Sequence, residues 1–333
     1  MKTLVIAEIG VNHNGNISLA KKIILSAKKI GVKIVKFQFY KTENLILPNT
    51  RMANYQIKNY PNNSTKDQFK MLKKFELSLE EHIELSKFCY KNKVEYCCSF
   101  FSEDDLDNYK KLNLKRIKIP SGEINNLFLL KKIARLNKKV ILSTGMSSEK
   151  EVENAIKYLI KNGQNKKRII ILHCCSSYPT LRKDLNLNAI NYLKKKYQIP
   201  VGFSDHSKEV NVPMMAVIKG AVLIEKHITY SNHLNGPDHK ASLNIKDFQN
   251  MLKGIREAEE SLGANNKIIT KSEKKNIYFA RKSLVAKKKI YKGEKFSFKN
   301  LTSKRPLSGK SLNYLPNILG KRAKKSYEKD ELI

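Results

Sequence analysis

Two apolar runs of strand length each end in an imidazole. They are VGFSDH at Val201 to His206 and VLIEKHI at Val222 to Ile228, with GPDHKASL following at Gly236 to Leu243. An acidic residue stands just before one imidazole (Asp205) and two before the other (Glu225). Side chains at the carboxyl ends of neighbouring parallel strands converge on one mouth, so His206 and His227 can share a divalent ion with space left for substrate. His239 lies on a following loop, where ligation and substrate contact are both open. A second signal is a pair of lysines inside apolar strands, Lys36 in IVKFQF and Lys118 in RIKIPS. A strand-end lysine is usually a solvated charge, but burying an ammonium without an anion is costly, so these two point to an anionic ligand. Further polar residues recur at strand ends: Glu8, Gln38, Ser99, Ser121, Glu123, Ser143, Ser176, Tyr178 and Ser204. A lysine pair with hydroxyl donors suits a phosphorylated substrate. His173 also ends an apolar run, but with no acid beside it it reads as a satisfied core histidine.

The elements that must position these residues alternate between strand and helix. Short β-branched runs are predicted at Leu4–Gly10, Ile34–Tyr40, Glu95–Phe101, Arg116–Glu123, Lys139–Gly145, Ile169–Cys174, Val201–His206 and Val222–Ile228. Eight parallel strands close a TIM barrel, and amphipathic stretches such as Ser18–Lys29, Leu79–Lys93, Glu149–Asn162 and Leu187–Lys196 supply its outer ring. A polar, Asn-rich interruption, Leu45–Lys73, follows the second strand and reads equally as a lid or binding loop, or as surface decoration. The α/β barrel is expected over residues 1–265, a linker over 266–276, and a small β-rich domain over 277–333.

A barrel takes roughly 250 residues, so the 333 residues fit one barrel and an appendage. Hydrophobic content of 41% supports a core. No run predicts a membrane span or a signal peptide, and Lys329-Asp330-Glu331-Leu332 is followed by Ile333, so the expectation is a cytoplasmic protein without membrane partners. The five cysteines fall as two adjacent pairs in strands and one in a helix, which predicts reduced thiols. The net charge of +35 is spread over nearly every predicted helix and loop, with no basic arm and no aromatic RNA-binding strand, so no nucleic-acid partner is expected.

The motifs together resemble one family. EIGVNHNG at Glu8 to Gly15, KFQ at Lys36 to Gln38, IKIPSGEINN at Ile117 to Asn126, LSTGM at Leu142 to Met146, SDH, EKH and GPDHKASL are similar to the sialic acid synthases. RKSLVAKKKIYKGE at Arg281 to Glu294 and SKRP at Ser303 to Pro306 resemble their antifreeze-like (SAF) domain. The resemblance implies condensation of phosphoenolpyruvate with a 2-acetamido mannose-type sugar, assisted by Mn²⁺ or Mg²⁺ on His206 and His227. It places Lys36, Ser99, Lys118, Ser121, Ser143, Ser176 and Ser204 around phosphoenolpyruvate. Glu8, Gln38, Glu123, Tyr178 and Asp238 would face the sugar or the metal's water shell. Glu8, Lys118 and Glu225 become the catalytic candidates, Glu225 for the proton of the attacking water. It also implies a domain-swapped homodimer in which Arg305 of the partner subunit contacts the sugar's acyl group. Phe100 and Ser99 depart from a usual Pro and Thr, and Ser176 from a usual Asn or Thr. KFQ, IPSGEINN and GPDHKASL lie nearer the diacetyllegionaminate branch than the N-acetylneuraminate branch. The competing classes are an aldol synthase of the 3-deoxy-heptulosonate type and a non-catalytic sugar-binding barrel.

Overall fold

The structure, a computed structural model, describes residues 2–61 and 65–333. Residues 62–64 of the expected insertion lie outside the described residues. Strands β1 (Leu4–Gly10), β2 (Ile34–Phe39), β3 (Glu95–Phe100), β4 (Arg116–Ile119), β5 (Lys139–Ser143), β6 (Ile169–Cys174), β7 (Val201–Asp205) and β8 (Leu223–His227) close a barrel in chain order. Every neighbouring pair runs parallel, including β1 with β8. β4 is shorter than expected. Pro120 has no N–H for the ladder, and a 3₁₀ turn follows at Ser121–Glu123.

Side-chain alternation sorts each strand. On β1, Val5, Ala7 and Ile9 join the apolar layer under the helices, whereas Ile6 packs inside the barrel with Ile34, Cys97, Ile141, Leu172 and Leu223. Those inner residues plug the amino-terminal half. The next inward residues up, two positions later along β1, β2, β3 and β8, are Glu8, Lys36, Ser99 and Glu225. The polar mouth therefore rests on a dry floor. Gly202 lets β7 approach β8, since a Cβ there would sit 2.4 Å from the Leu223 carbonyl oxygen.

The outer helices start where the sequence caps them. Ser78 with Glu81 and Ser148 with Glu151 form capping boxes ahead of the helices Leu79–Lys91 and Glu149–Lys161. Two ring helices, Leu127–Leu136 and Val212–Ile218, were not among the stretches singled out from the sequence. The segment after β2 is helical in three places, Thr42–Leu45, Asn54–Asn59 and Gln68–Phe75. It has its own small core of Val11, Met52, Tyr60, Met71 and Phe75.

Residues 264–333 form a second compact unit. Here β9 (Ser283–Ala286) pairs antiparallel with β10 (Leu301–Lys304) over a core that includes Leu284, Ile290, Phe296, Ile318 and Ile333. The expected linker over 266–276 is corrected in its second half, where a helix spans Lys271–Ala280. Thr270 accepts from the Glu273 N–H and Glu273 reaches back to Thr270, a capping box inside what reads as a lysine-rich loop. Among the described residues no helix is long and apolar enough to cross a membrane.

Candidate active site

Every candidate residue of the barrel except Asp238 and His239 lines one cavity of about 420 Å³ at the carboxyl ends of the strands. Its floor is an alternating array of charges. Lys36 pairs with Glu8 at 2.7 Å and donates to Ser99 Oγ at 2.9 Å. Lys118 donates to both oxygens of Glu225, at 2.7 and 2.9 Å, and Ser204 donates to the same carboxylate at 3.1 Å. The Lys36 ammonium stands 3.9 Å from Glu225, so the two pairs form one network. All four side chains are buried.

Burial and partners compete at each charge. Burial opposes ionisation of Glu225, but Lys118 and Lys36 outweigh it and hold its carboxyl down at about 2. For Lys36, burial disfavours the ammonium, yet Glu225 and Glu8 hold its pKa above the ordinary value. Burial dominates at Glu8, whose pKa is raised despite Lys36.

The two imidazoles meet above this floor, with ring centres 5.7 Å apart. Hydrogen bonding of His206 Nδ1 to the Cys175 carbonyl at 2.7 Å fixes the tautomer and turns Nε2 into the cavity, where the Tyr178 hydroxyl lies at 3.2 Å. His227 Nδ1 is buried without a hydrogen-bond partner, 4.0 Å from Asp238 Oδ2. Burial keeps both rings neutral, holding His206 at about 4 and His227 well below its usual value. An orphaned imidazole nitrogen beside a second neutral imidazole fits a divalent ion with open positions. Among the described residues no cluster of three or more His, Cys, Asp or Glu is set for a metal, so water or substrate would complete the shell.

Other expectations resolve individually. Asp238 lines a smaller adjoining cavity that shares Gln38, Tyr178 and His227 with the main one. Burial and then Glu8 raise its pKa to about 7. His239 does not join the imidazole pair, because its ring nitrogens bond to Thr229 Oγ1 at 2.7 Å and Asn14 Oδ1 at 3.0 Å. His173 bonds to the Leu185 carbonyl, as a satisfied histidine. Phe100 is fully buried against Phe39 on the outer side of the sheet, so this departure lies outside the lining, while Ser99 and Ser176 are within it. Arg305 belongs to the second unit. All five cysteines are free. Sequence reasoning missed Leu45, Ile46, Tyr55, Gln68, Leu72, Phe101 and Met146 in the lining. The first five come from the segment after β2, whose polar composition gave no period to place them.

Comparisons with known proteins agree with the fold. Residues 23–267 match the NeuB family and residues 281–333 the SAF domain. The chain is 46% identical to the N,N'-diacetyllegionaminic acid synthase of Campylobacter jejuni, covering all of this chain and 99% of that one. It is 39% identical to the enzyme of the same name from Legionella pneumophila, over 97% and 90%. Among solved structures, the N-acetylneuraminic acid synthetase of Leptospira borgpetersenii superposes with a TM-score of 0.72 at 31% identity, covering 83% of this chain and 90% of that one. Full-length similarity of this kind, on a barrel whose mouth holds the lysines and imidazoles of the motifs, establishes that the chain belongs to the NeuB family of sialic acid synthases and carries an SAF domain.

Proposed function

We propose that the protein is a nonulosonic acid synthase that joins phosphoenolpyruvate to 2,4-diacetamido-2,4,6-trideoxymannose, giving N,N'-diacetyllegionaminate and phosphate. The observation that carries this reading is the charged floor: two buried ammoniums, each held by a carboxylate, beneath two neutral imidazoles. The identity to diacetyllegionaminic acid synthases supports the choice of acceptor.

In this reading Lys36 and Lys118 receive the donor's carboxylate and phosphate, helped by the hydroxyls of Ser99, Ser121, Ser143, Ser176 and Ser204. Ser143 Oγ is buried with no partner among the described residues, as a hydroxyl awaiting an anion would be. Gln38, Glu123, Tyr178 and Asp238 orient the open-chain sugar. A divalent ion, Mn²⁺ or Mg²⁺, on His206 and His227 would supply Lewis-acid polarisation of the aldehyde. Carbon 3 of the enol forms the new bond to the aldehyde carbon, whose oxygen becomes a hydroxyl. Water adds to carbon 2, and the C–O bond to phosphate breaks. A donor anion that draws Lys118 away frees the Glu225 carboxylate to take the water's proton. Glu8 holds Lys36 and Gln38 in place at this step. We assign catalysis to the barrel, and to Arg305 a contact with the sugar across a domain-swapped homodimer. A cytoplasmic location fits such a biosynthetic role.

The test is phosphate release from phosphoenolpyruvate with Mn²⁺ in the presence of each acetamido sugar, with the product identified by mass. Release with 2,4-diacetamido-2,4,6-trideoxymannose and a lower kcat/KM with N-acetylmannosamine is expected. No release with either sugar would overturn the reading.

A further inference from the structure

The cavity has two chemically different sides. Its floor is the charged network, whereas the segment after β2 adds the mainly apolar Leu45, Ile46, Tyr55 and Leu72, together with Gln68, to its lining. These side chains are half-buried, so apolar surface is left facing the space.

This surface is held in place. In the helix Gln68–Phe75, Met71 and Phe75 sink into the segment's own core, which leaves Leu72 on the cavity side. The Tyr40 hydroxyl donates to the Leu72 carbonyl at 3.0 Å. At the helix Thr42–Leu45, Glu76 accepts from the Thr42 N–H at 2.9 Å and its hydroxyl at 2.7 Å. Asp105 accepts from the Lys41 N–H at 3.1 Å and from Asn44 at 2.9 Å. Tyr55 stacks on Tyr178, with ring centres 5.1 Å apart. These bonds hold the apolar wall in advance of binding, so a ligand that matches it loses little to ordering.

Resting on the proposed function, we infer that Leu45, Ile46 and Leu72 select the acceptor sugar by its sixth carbon, favouring a methyl group there over a hydroxymethyl. A methyl against this wall removes apolar surface from water on both sides. A hydroxyl in the same place gives up hydrogen bonds to water and finds no partner among the three side chains. Apolar walls discriminate modestly, up to about 100-fold against an added hydroxyl, so a preference of about tenfold or more is expected.

The experiment compares two acceptors that differ only at carbon 6: 2,4-diacetamido-2,4,6-trideoxymannose and its 6-hydroxy counterpart, 2,4-diacetamido-2,4-dideoxymannose. The kcat/KM ratio is measured for wild type, for the double variant Ile46→Asn/Leu72→Asn, and for Leu47→Asn. Leu47 is 79% exposed and outside the lining, so it serves as the control. The double variant should lower the ratio about tenfold, while Leu47→Asn leaves it unchanged. The ratio cancels any general loss of active enzyme. An active wild type whose ratio is near one, or is unmoved by the double substitution, overturns the selection role and leaves the synthase reading standing. A wild type silent with both sugars overturns the synthase reading itself, and this inference with it.

Discussion

Asp205 and Lys226 are direct cross-strand partners on β7 and β8, and their side chains form a fully buried ion pair at 2.6 Å on the outer side of the sheet. Lys226 also donates to the Ser207 carbonyl, and Asp205 accepts from the Ser207 N–H at 2.8 Å. Each partner precedes one of the two cavity imidazoles, so the pair fixes the register in which His206 and His227 face each other. Support of this kind typically changes metal affinity 10- to 100-fold. The double variant Asp205→Leu/Lys226→Met removes both charges together, which is often tolerated in a core. Weaker Mn²⁺ binding by isothermal titration, with an unchanged melting temperature, is the expected outcome. Unchanged Mn²⁺ affinity would mean that the pair serves packing alone.

The floor predicts an asymmetry between single and paired substitutions. Lys118→Met leaves Glu225 with Ser204 and a more distant Lys36, and since removing one partner of a buried pair costs about 3–5 kcal/mol, the loss should approach that range. Adding Glu225→Gln to Lys118→Met should restore most of that stability. Denaturant midpoints of the single and double variants check this, and equal midpoints would contradict it.

Glu225→Gln alone should lower kcat by about 100-fold or more if its carboxylate takes the proton of the attacking water. Phosphoenolpyruvate affinity should hold or tighten, because Lys118 is released from its partner. Single-turnover and equilibrium binding measurements separate the two effects. A variant with normal kcat removes Glu225 from the chemistry.

Acid should weaken the fold through three buried imidazoles. Burial holds His13 at about 4, His82 at about 3 and His239 at about 4, against 6.5 for a free ring. Below pH 6.5 the unfolded chain binds protons that the folded chain refuses. The stability is therefore complete above 6.5 and falls as pH drops towards 4, by about 1.4 kcal/mol per pH unit for each ring. Urea midpoints at pH 7.5, 6 and 5 should decline in that order, and a flat profile would show that the rings are not neutral in the fold.

The proposed domain-swapped dimer is tested by complementation. Arg305→Ala and His227→Ala enzymes, each impaired, should regain activity when co-expressed. One site of the mixed dimer then combines an intact barrel with an intact Arg305 of the partner subunit. No recovery in isolated mixed dimers would place Arg305 beside its own barrel or outside the site.

The eight strands were legible because apolar runs of fixed length recur along the chain, and the inward-facing Lys36 and Lys118 stood out as charges inside them. His206 and His227 were legible for the same reason, since strand ends converge by geometry alone. His239 was not, because a loop's direction depends on partners such as Thr229 and Asn14 that are distant from the strand logic. Leu45, Ile46, Tyr55 and Leu72 were legible only as members of an interruption whose role stayed open, not as individual lining residues. Their helices are short, and what brings them to the cavity is Glu76, Asp105 and Tyr40, whose hydrogen bonds no hydrophobic period reports.

The floor network has a consequence for the end of the catalytic cycle. Two ammoniums and two carboxylates neutralise one another across the floor. An incoming anion has to displace Glu225 from Lys118 to be held there. In the proposed reaction, the same carboxylate would be within reach to reclaim the lysine as phosphate departs. In that reaction the site would thus carry an internal competitor for its own leaving group, favouring turnover over tight retention.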